Sequence, residues 1–424
     1  MRIWLVQTGE MLPLTPLDRR MRTGHLAMEL ASRGHQVIWW SSSFDHLSKR
    51  WIEKKDKTIR LNDNLKIKLI KGIGYNKNVS FKRYLDHLYL AFKFKKQIQK
   101  ERVPDIIISS LPDHHLAYEA TKYALKKDVP VVIDLRDLWP DLFIDLIKQT
   151  FFKKLIKILL ARDYWKTRFS LQHAHGLVTM MLHYLQIGSE RGQRLNNKND
   201  RIFYLGAENI KVQEKKNIRE EVNFIISTVR EKFVVLFVGA FNKISHPITL
   251  INAVKSIKEM DTSLEIEFIL AGDGEHFEKL KSLASGYPQI KFTGWINNDE
   301  VSALLKIADV GIVTVNEPII AFPNKVFTYL SGGLPIISSL EGEVKEIINK
   351  ENIGYFYEYD KPQDLMKKIL LLAESKKLRD SMASNSKKVF DRLFDSKNIY
   401  SSYADYVENI VSARVAISPH KNMN

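Results

Sequence analysis

At 424 residues the chain is long enough for two domains, each with a substantial core. It has no cysteine, which excludes disulfides and thiolate metal sites and suits a reducing compartment. Its net charge of +16 is unevenly placed: residues 1–200 carry 36 lysines and arginines against 20 acids, and the remainder carries 29 against 29. A basic half of this kind suits nucleic acid, anionic lipid or an acidic substrate, and composition alone does not choose among them.

The opening residues MRIWLVQTGE enter a strand directly, without a signal-peptide pattern, and no apolar run approaches the ~20 residues that span a bilayer. The expectation is a cytoplasmic protein, soluble or peripheral. Ile3 to Val6 reads as a buried strand, Thr23 to Arg33 as a helix and Val37 to Ser41 as a second strand, which together make a βαβ unit with a ligand crevice at the strands' carboxyl ends. Arg19, Arg20 and Arg22 precede the helix; they are placed either to contact a phosphate or to solvate the helix start. A hairpin is predicted around Asn62 to Asn64, then a helix with an apolar-aromatic face of Phe81, Leu85, Leu88 and Phe92.

The strand Asp105 to Ser109 delivers His114 and His115 to the crevice, as catalytic groups or as structural ones. Pro130 to Leu135 is another strand, ending in RDLWPD; here Asp137 is suited to orient or deprotonate an acceptor hydroxyl, or else to pair structurally with Arg136. Residues 148–170 hold seven basic residues and five aromatics around one acid, Asp163. That pattern fits a helix lying in a membrane interface, with a core-packed helix as the alternative; nucleic acid is disfavoured because no binding motif or stacking platform accompanies the charge.

Residues 186–205 read as a polar linker between a first domain, 1–185, and a second, 206–395. The second repeats the strand-helix pattern: Phe233 to Val238, the turn Gly239-Ala240 with Lys243 beyond it, a helix from Pro247 to Lys258, and a strand ending at Gly272-Asp273-Gly274. Ile290 to Trp295 is a short strand before a helix capped by Asn298, and DVGIVTV is the next strand. PNKVFTYLSGGLPIISS then reads as loop, helix and strand; the helix start at Asn324 offers unpaired N–H groups, with Lys325 beside them, which favours an anion such as phosphate. Residues 396–424 are a final amphipathic helix and tail.

That last stretch resembles the retaining GT-B glycosyltransferases of family 4, especially the bacterial branch that builds surface polysaccharides. The branch carries P-x-K-x-x-E-Y-x-x-x-G-x-P, and Pro323, Lys325, Tyr329, Gly333 and Pro335 stand in register, with Thr328 where the family has its ribose-binding glutamate and Ile320 where the wider family's acid pair begins. DLRDLWPD is close to the branch's V-R-D-L-W-P, Arg136 falling on a family histidine, and S-L-x-G-E is matched through Glu341. The family's first-loop glycine pair falls on Leu17 and Asp18, and its G-R on Gly239-Ala240. The resemblance implies an α/β fold of two Rossmann-like doubly wound domains, the final helix crossing back to the first. It also implies a donor site of Gly239, Ala240, Lys243, Gly272, Gly274, Trp295, Ile296, Asn324, Lys325, Thr328 and Glu341.

By the same resemblance, Lys325 would neutralise the leaving diphosphate, Asp137, His114 and His115 would handle the acceptor, and Arg19, Arg20, Arg22 and Arg136 would lie on the acceptor side. The implied activity is transfer of a sugar from a nucleotide diphosphate to a polyprenyl-diphosphate-linked saccharide at an anionic membrane surface, with no cofactor. No metal is expected, since no D-x-D and no His/Asp/Glu cluster at ligand spacing is evident and Asp134 lacks a partner at that spacing. A non-catalytic sugar-nucleotide-binding subunit and a sugar-nucleotide epimerase are the alternatives on this fold.

Overall fold

The computed structural model describes residues 1–15, 18–141, 150–209, 217–245, 247–258 and 264–417. These form two compact units, one of residues 1–204 with 400–424 and one of residues 205–399. Among the described residues, no helix is long and apolar enough to cross a membrane.

In the first unit the chain runs β1 (Arg2–Val6), α1 (Arg22–Ser32), β2 (Gln36–Ser42), β3 (Lys57–Arg60), β4 (Leu65–Ile70), α2 (Phe81–Gln97), β5 (Ile106–Leu111), α3 (His114–Lys127) and β6 (Val131–Leu135). It continues through α4 (Thr150–Leu159), α5 (Ala161–Gln172), β7 (Gly176–Thr179), α6 (Leu182–Gly192) and β8 (Arg201–Ile202). The sheet order is β8-β7-β6-β5-β1-β2-β4-β3, parallel except for the predicted hairpin β3-β4. Uninterrupted apolar runs such as Ile3-Trp4-Leu5-Val6 suit strands covered on both faces. Trp4 packs edge-on against Trp40 and stacks on Tyr123, and Phe94 of α2 closes the same cluster.

The structure corrects three expectations here. The predicted inner face of α2 points outward, Phe81 being 74% and Phe92 53% exposed, while the core takes Asp86, His87, Leu90, Ala91 and Phe94. Residues 150–172 are two helices separated at Leu160, and residues 148–149 lie outside the described residues, as does Leu17. The predicted linker is largely ordered: α6 occupies residues 182–192, β8 extends the first sheet, and the unit boundary follows Tyr204. Polar composition there reflects an exposed helix end, which Gln193 terminates in the left-handed conformation.

The second unit contains α7 (Glu220–Thr228), β9 (Phe233–Val238), α8 (Ile248–Lys258), β10 (Ile266–Ala271), α9 (Phe277–Leu283), β11 (Ile290–Gly294), α10 (Asn298–Ile307) and β12 (Val310–Val313). It is completed by α11 (Asn324–Ser331), β13 (Ile336–Ser338), α12 (Glu343–Glu351), β14 (Gly354–Phe356), α13 (Pro362–Glu374) and α14 (Lys376–Val389). All six strands are parallel in the order β11-β10-β9-β12-β13-β14, and Phe237, Phe268, Leu250 and Ile369 belong to the core. The cap of α10 is Asn297, one residue before the predicted one, in a reciprocal box with Glu300. The last helix, α15 (Ser396–Ile417), belongs to the first unit from Tyr400 onward. Tyr403 stacks on Phe203 at 4.4 Å and lies under the Arg22 guanidinium.

Candidate functional site

In each sheet the strand order reverses beside the first strand of its unit, and a doubly wound sheet opens its ligand crevice at such a point. In the second unit this lies between β9 and β12, whose pairing stops at Leu236 and Gly311. Tyr329 bridges the gap: its buried hydroxyl accepts from Val238 N at 2.7 Å and donates to the Ile312 carbonyl at 3.1 Å. Only glycine at 311 admits that ring, since a Cβ there would lie 2.4 Å from Tyr329 Cγ.

At the mouth of this opening, Gly239 (φ +151°) and Gly272 (φ +143°) bring the loops after β9 and β10 into backbone contact. A Cβ on Gly272 would lie 1.9 Å from the Gly239 carbonyl oxygen. Lys325, in the first turn of α11, extends over this shelf: its Nζ would be 2.8 Å from a Cβ on Gly239, 3.5 Å from Ser245 Oγ and 4.0 Å above the Phe237 ring. Among the described residues no carboxylate pairs with it, and burial pushes the ammonium down to about 7. A desolvated cation on a side-chain-free shelf at a crevice is suited to a diphosphate.

The other predicted donor residues border this point unevenly. Gly274 and Gly294-Trp295 end the neighbouring strands; Trp295 is 68% exposed, and its carbonyl accepts from Arg219, itself held by Glu300 at 2.7 Å. Ile296 is half-buried, and Ala240, Lys243 and Asn324 are exposed. Thr328 is half-buried and donates its hydroxyl back to the Asn324 carbonyl at 3.1 Å. Glu341, also half-buried, pairs with Lys345 at 3.0 Å.

In the first unit the predicted acceptor residues separate. Arg22 and Arg136 both bind Asp134, which is wholly buried and is paired with cations rather than with a second metal-ligating group. Arg136 also reaches Glu10 and Thr23 Oγ1, and Arg22 donates to the Phe203 carbonyl at 2.6 Å. Burial alone would raise the Asp134 carboxyl, but Arg136 and Arg22 outweigh it and hold it below its ordinary value. These two arginines are committed to the interior; Arg19 and Arg20 are exposed. Asp137 is half-buried at the end of β6, and burial raises its carboxyl. It does not pair with Arg136.

His114 and His115 are each 1% exposed, so neither ring opens to the crevice. His114 Nε2 lies 2.8 Å from Asp163 Oδ1, His115 Nε2 lies 3.6 Å from it, and Tyr84 donates to the same carboxylate at 3.1 Å. His114, His115 and Asp163 have their donor atoms within 4.8 Å of one another, close enough to hold a cation, so the expected absence of such a cluster is wrong. Lys166 Nζ sits 2.9 Å from His115 Nδ1, and an ammonium there leaves the His115 proton on Nε2, facing Asp163. Burial, then His114 and Lys166, keep His115 neutral by lowering it far below its ordinary range. The arrangement is a hydrogen-bonded network centred on Asp163.

A polar pocket that sequence reasoning missed lies where β1 and β5 end, lined by Thr8, His46, Tyr75, Arg83, His87 and Asp113. Asp113 accepts from Thr8 Oγ1 at 3.2 Å and lies 3.6 Å from His87 Nδ1; His46 and Tyr75 are 2.7 Å apart. Burial, then Arg83, pushes His46 down to about 4. Arg83 covers the Trp139 and Tyr75 rings, making a cationic and aromatic wall. Polar residues at buried positions of α2, Asp86 and His87, were the available signal.

Residues 218–389 match the family described as Glycosyl transferases group 1. An uncharacterized glycosyltransferase of Methanocaldococcus jannaschii is 26% identical over 223 residues, covering 51% of this chain and 55% of that protein. The chain thus spans about half the length of the curated relatives it matches. Among solved structures, sucrose-phosphate synthase from Thermosynechococcus elongatus superposes with a TM-score of 0.67 at 14% identity, covering 97% of this chain and 99% of that one. HepE of Anabaena, in complex with UDP, superposes with a TM-score of 0.64 at 14% identity, covering 96% and 99%. The family match falls within the second unit, and the chain shares with these solved structures the GT-B fold of two Rossmann-like units.

Proposed function

We propose that the chain transfers a sugar from a nucleotide-diphosphate donor to a lipid-linked saccharide acceptor, with retention of configuration and without a metal, in surface-polysaccharide assembly. The observation that carries this reading is Lys325: a desolvated ammonium, without a carboxylate partner among the described residues, over the Gly239–Gly272 shelf. A folded protein retains such a cation only at a cost, which an incoming diphosphate offsets. As the glycosidic bond to the donor breaks, negative charge grows on the leaving diphosphate, and a fixed ammonium stabilises it there more than in the ground state. That HepE was solved with UDP supports a uridine nucleotide as the first donor to try.

The acceptor would sit at the mouth of the first unit's polar pocket, whose interior of about 20 Å³ has room for little more than a water molecule. Asp137, its proton affinity raised by burial, is suited to receive a hydroxyl proton, and Arg83 with the Trp139 and Tyr75 rings is suited to a sugar face or a phosphate. The protein would then work as a peripheral protein on the cytoplasmic face of the membrane. The test is a panel of nucleotide diphosphates scored by melting temperature, followed by transfer from the best binder to a lipid-linked acceptor. Absence of any nucleotide-dependent shift would overturn the reading.

Thr328 favours one second reading. With its hydroxyl bonded to its own helix and no carboxylate at that position, the ribose contact is weakened, as in a binding subunit that has lost turnover. Donor binding without transfer to any acceptor would support it.

A further inference from the structure

We infer that α2 is a docking element for an anionic phospholipid bilayer, through the face that sequence periodicity assigned to the core. Phe81, Leu85, Tyr89 and Phe92 fall at intervals of four, four and three residues, which is one stripe of a helix, and they are 74%, 38%, 44% and 53% exposed. Lys82, Lys96 and Lys100 flank the stripe, exposed and in no ion pair among the described residues, and the Lys96 ammonium lies 4.2 Å over the Phe92 ring. The one acid of α2, Asp86, is buried and turned inward to the backbone N–H groups of Ile73 and Gly74. The outer face is therefore apolar and cationic.

The pattern recurs on the neighbouring helices. Tyr84 ties α2 to α5 through Asp163, and α4 and α5 expose Leu155, Ile158, Leu159 and Trp165 beside Lys157, Arg162 and Arg168. Apolar side chains of this kind sink below the headgroups while flanking ammonium groups remain at phosphate depth, a geometry that requires both classes on one face. The charge complement decides the occupant: a second copy of this chain would bring like charge against like, whereas anionic headgroups neutralise it.

This inference rests on the peripheral-membrane reading above and gives it a surface and a depth. The inner face of the same helix supplies Arg83 and His87 to the polar pocket, so a bilayer on the outer stripe brings that pocket within about one helix diameter, ~10 Å, of the headgroups. An acceptor whose saccharide is tethered to a membrane lipid would meet the pocket there.

The test is co-sedimentation of the full chain with vesicles of neutral phosphatidylcholine and of phosphatidylcholine mixed with anionic phosphatidylglycerol, without nucleotide or acceptor. The parent is expected to bind the anionic vesicles and only weakly the neutral ones. Phe81→Ser with Phe92→Ser, and separately Lys82→Glu with Lys96→Glu, should each weaken anionic binding by about tenfold or more. Because all four side chains are exposed, melting temperature and calorimetric affinity for nucleotide diphosphates should be unchanged, which separates failure of docking from failure of the donor assignment. Anionic-vesicle binding by both double variants equal to the parent's would overturn the inference, as would a parent dimer that the phenylalanine variant dissociates.

Discussion

Lys325→Met tests the donor site by exchanging a cation for an apolar chain of similar length. At about 1.4 kcal/mol per tenfold change in proton affinity, the displacement from 10.5 to about 7 means that keeping this group charged in the fold costs up to about 5 kcal/mol. The folded pKa lies below the unfolded one, so the cost is fully present below pH 7, shrinks as pH rises through the interval, and is gone above the unfolded value. The methionine variant should therefore melt at or above the parent at pH 6, with the difference narrowing by pH 9.5. Its turnover should fall by about 30- to 1000-fold, the equivalent of losing roughly 2–4 kcal/mol of stabilisation of the leaving diphosphate. Diphosphate binding should also take up a proton above pH 7, visible as a dependence of the calorimetric heat on buffer ionisation enthalpy. Paired thermal melts and saturating-donor rates provide the measurement. Equal turnover in variant and parent, or a variant that melts well below the parent at pH 6, would refute the reasoning.

Thr328→Glu should tighten nucleotide-diphosphate binding by about tenfold or more, because a carboxylate accepts from two ribose hydroxyls through charge-assisted bonds; calorimetry showing weaker binding would mean that the pocket is built around threonine. Asp134→Asn should destabilise the first unit by about 3–5 kcal/mol in denaturant unfolding, since it leaves the buried Arg22 without a carboxylate and Arg136 with Glu10 alone; a loss under 1 kcal/mol would show that they relax outward. Transfer should persist in excess chelator, and activity lost there but restored by manganese or magnesium would give the His114, His115 and Asp163 cluster, or another site, a metal role.

The parts of the molecule legible in sequence are those where local chemistry and fold agree. Apolar runs gave the strands, and the Lys325 segment and the turns at Gly239 and Gly272 could be placed because a helix start and a close backbone approach each leave a local trace. The phase of α2 was illegible because Phe81 and Phe92 outweigh Leu90 and Phe94 in any reading that sends aromatic residues inward, whereas the fold sends Asp86 and His87 inward to make polar contacts. The partners of Asp134 were illegible for a different reason. Arg22 stands 112 positions away, so topology alone joins them, and one sequence carries no mark of it. A separation of 49 positions likewise concealed the approach of Asp163 to His114 and its neighbour His115.

The return of α15 has a consequence for how the chain comes to be folded at all. The second unit is one uninterrupted stretch, but the first lacks the ring of Tyr403 under Arg22, against Phe203, until residues beyond 400 have left the ribosome. At about 5–20 residues per second those residues follow Tyr204 by roughly 10–40 s. The usual order of synthesis is thereby reversed: the second unit is free to complete its fold while the first waits with an open seam. A nascent chain stalled before Tyr400 should hold a protease-resistant second unit beside a digestible first one, and release of the remaining residues should close both.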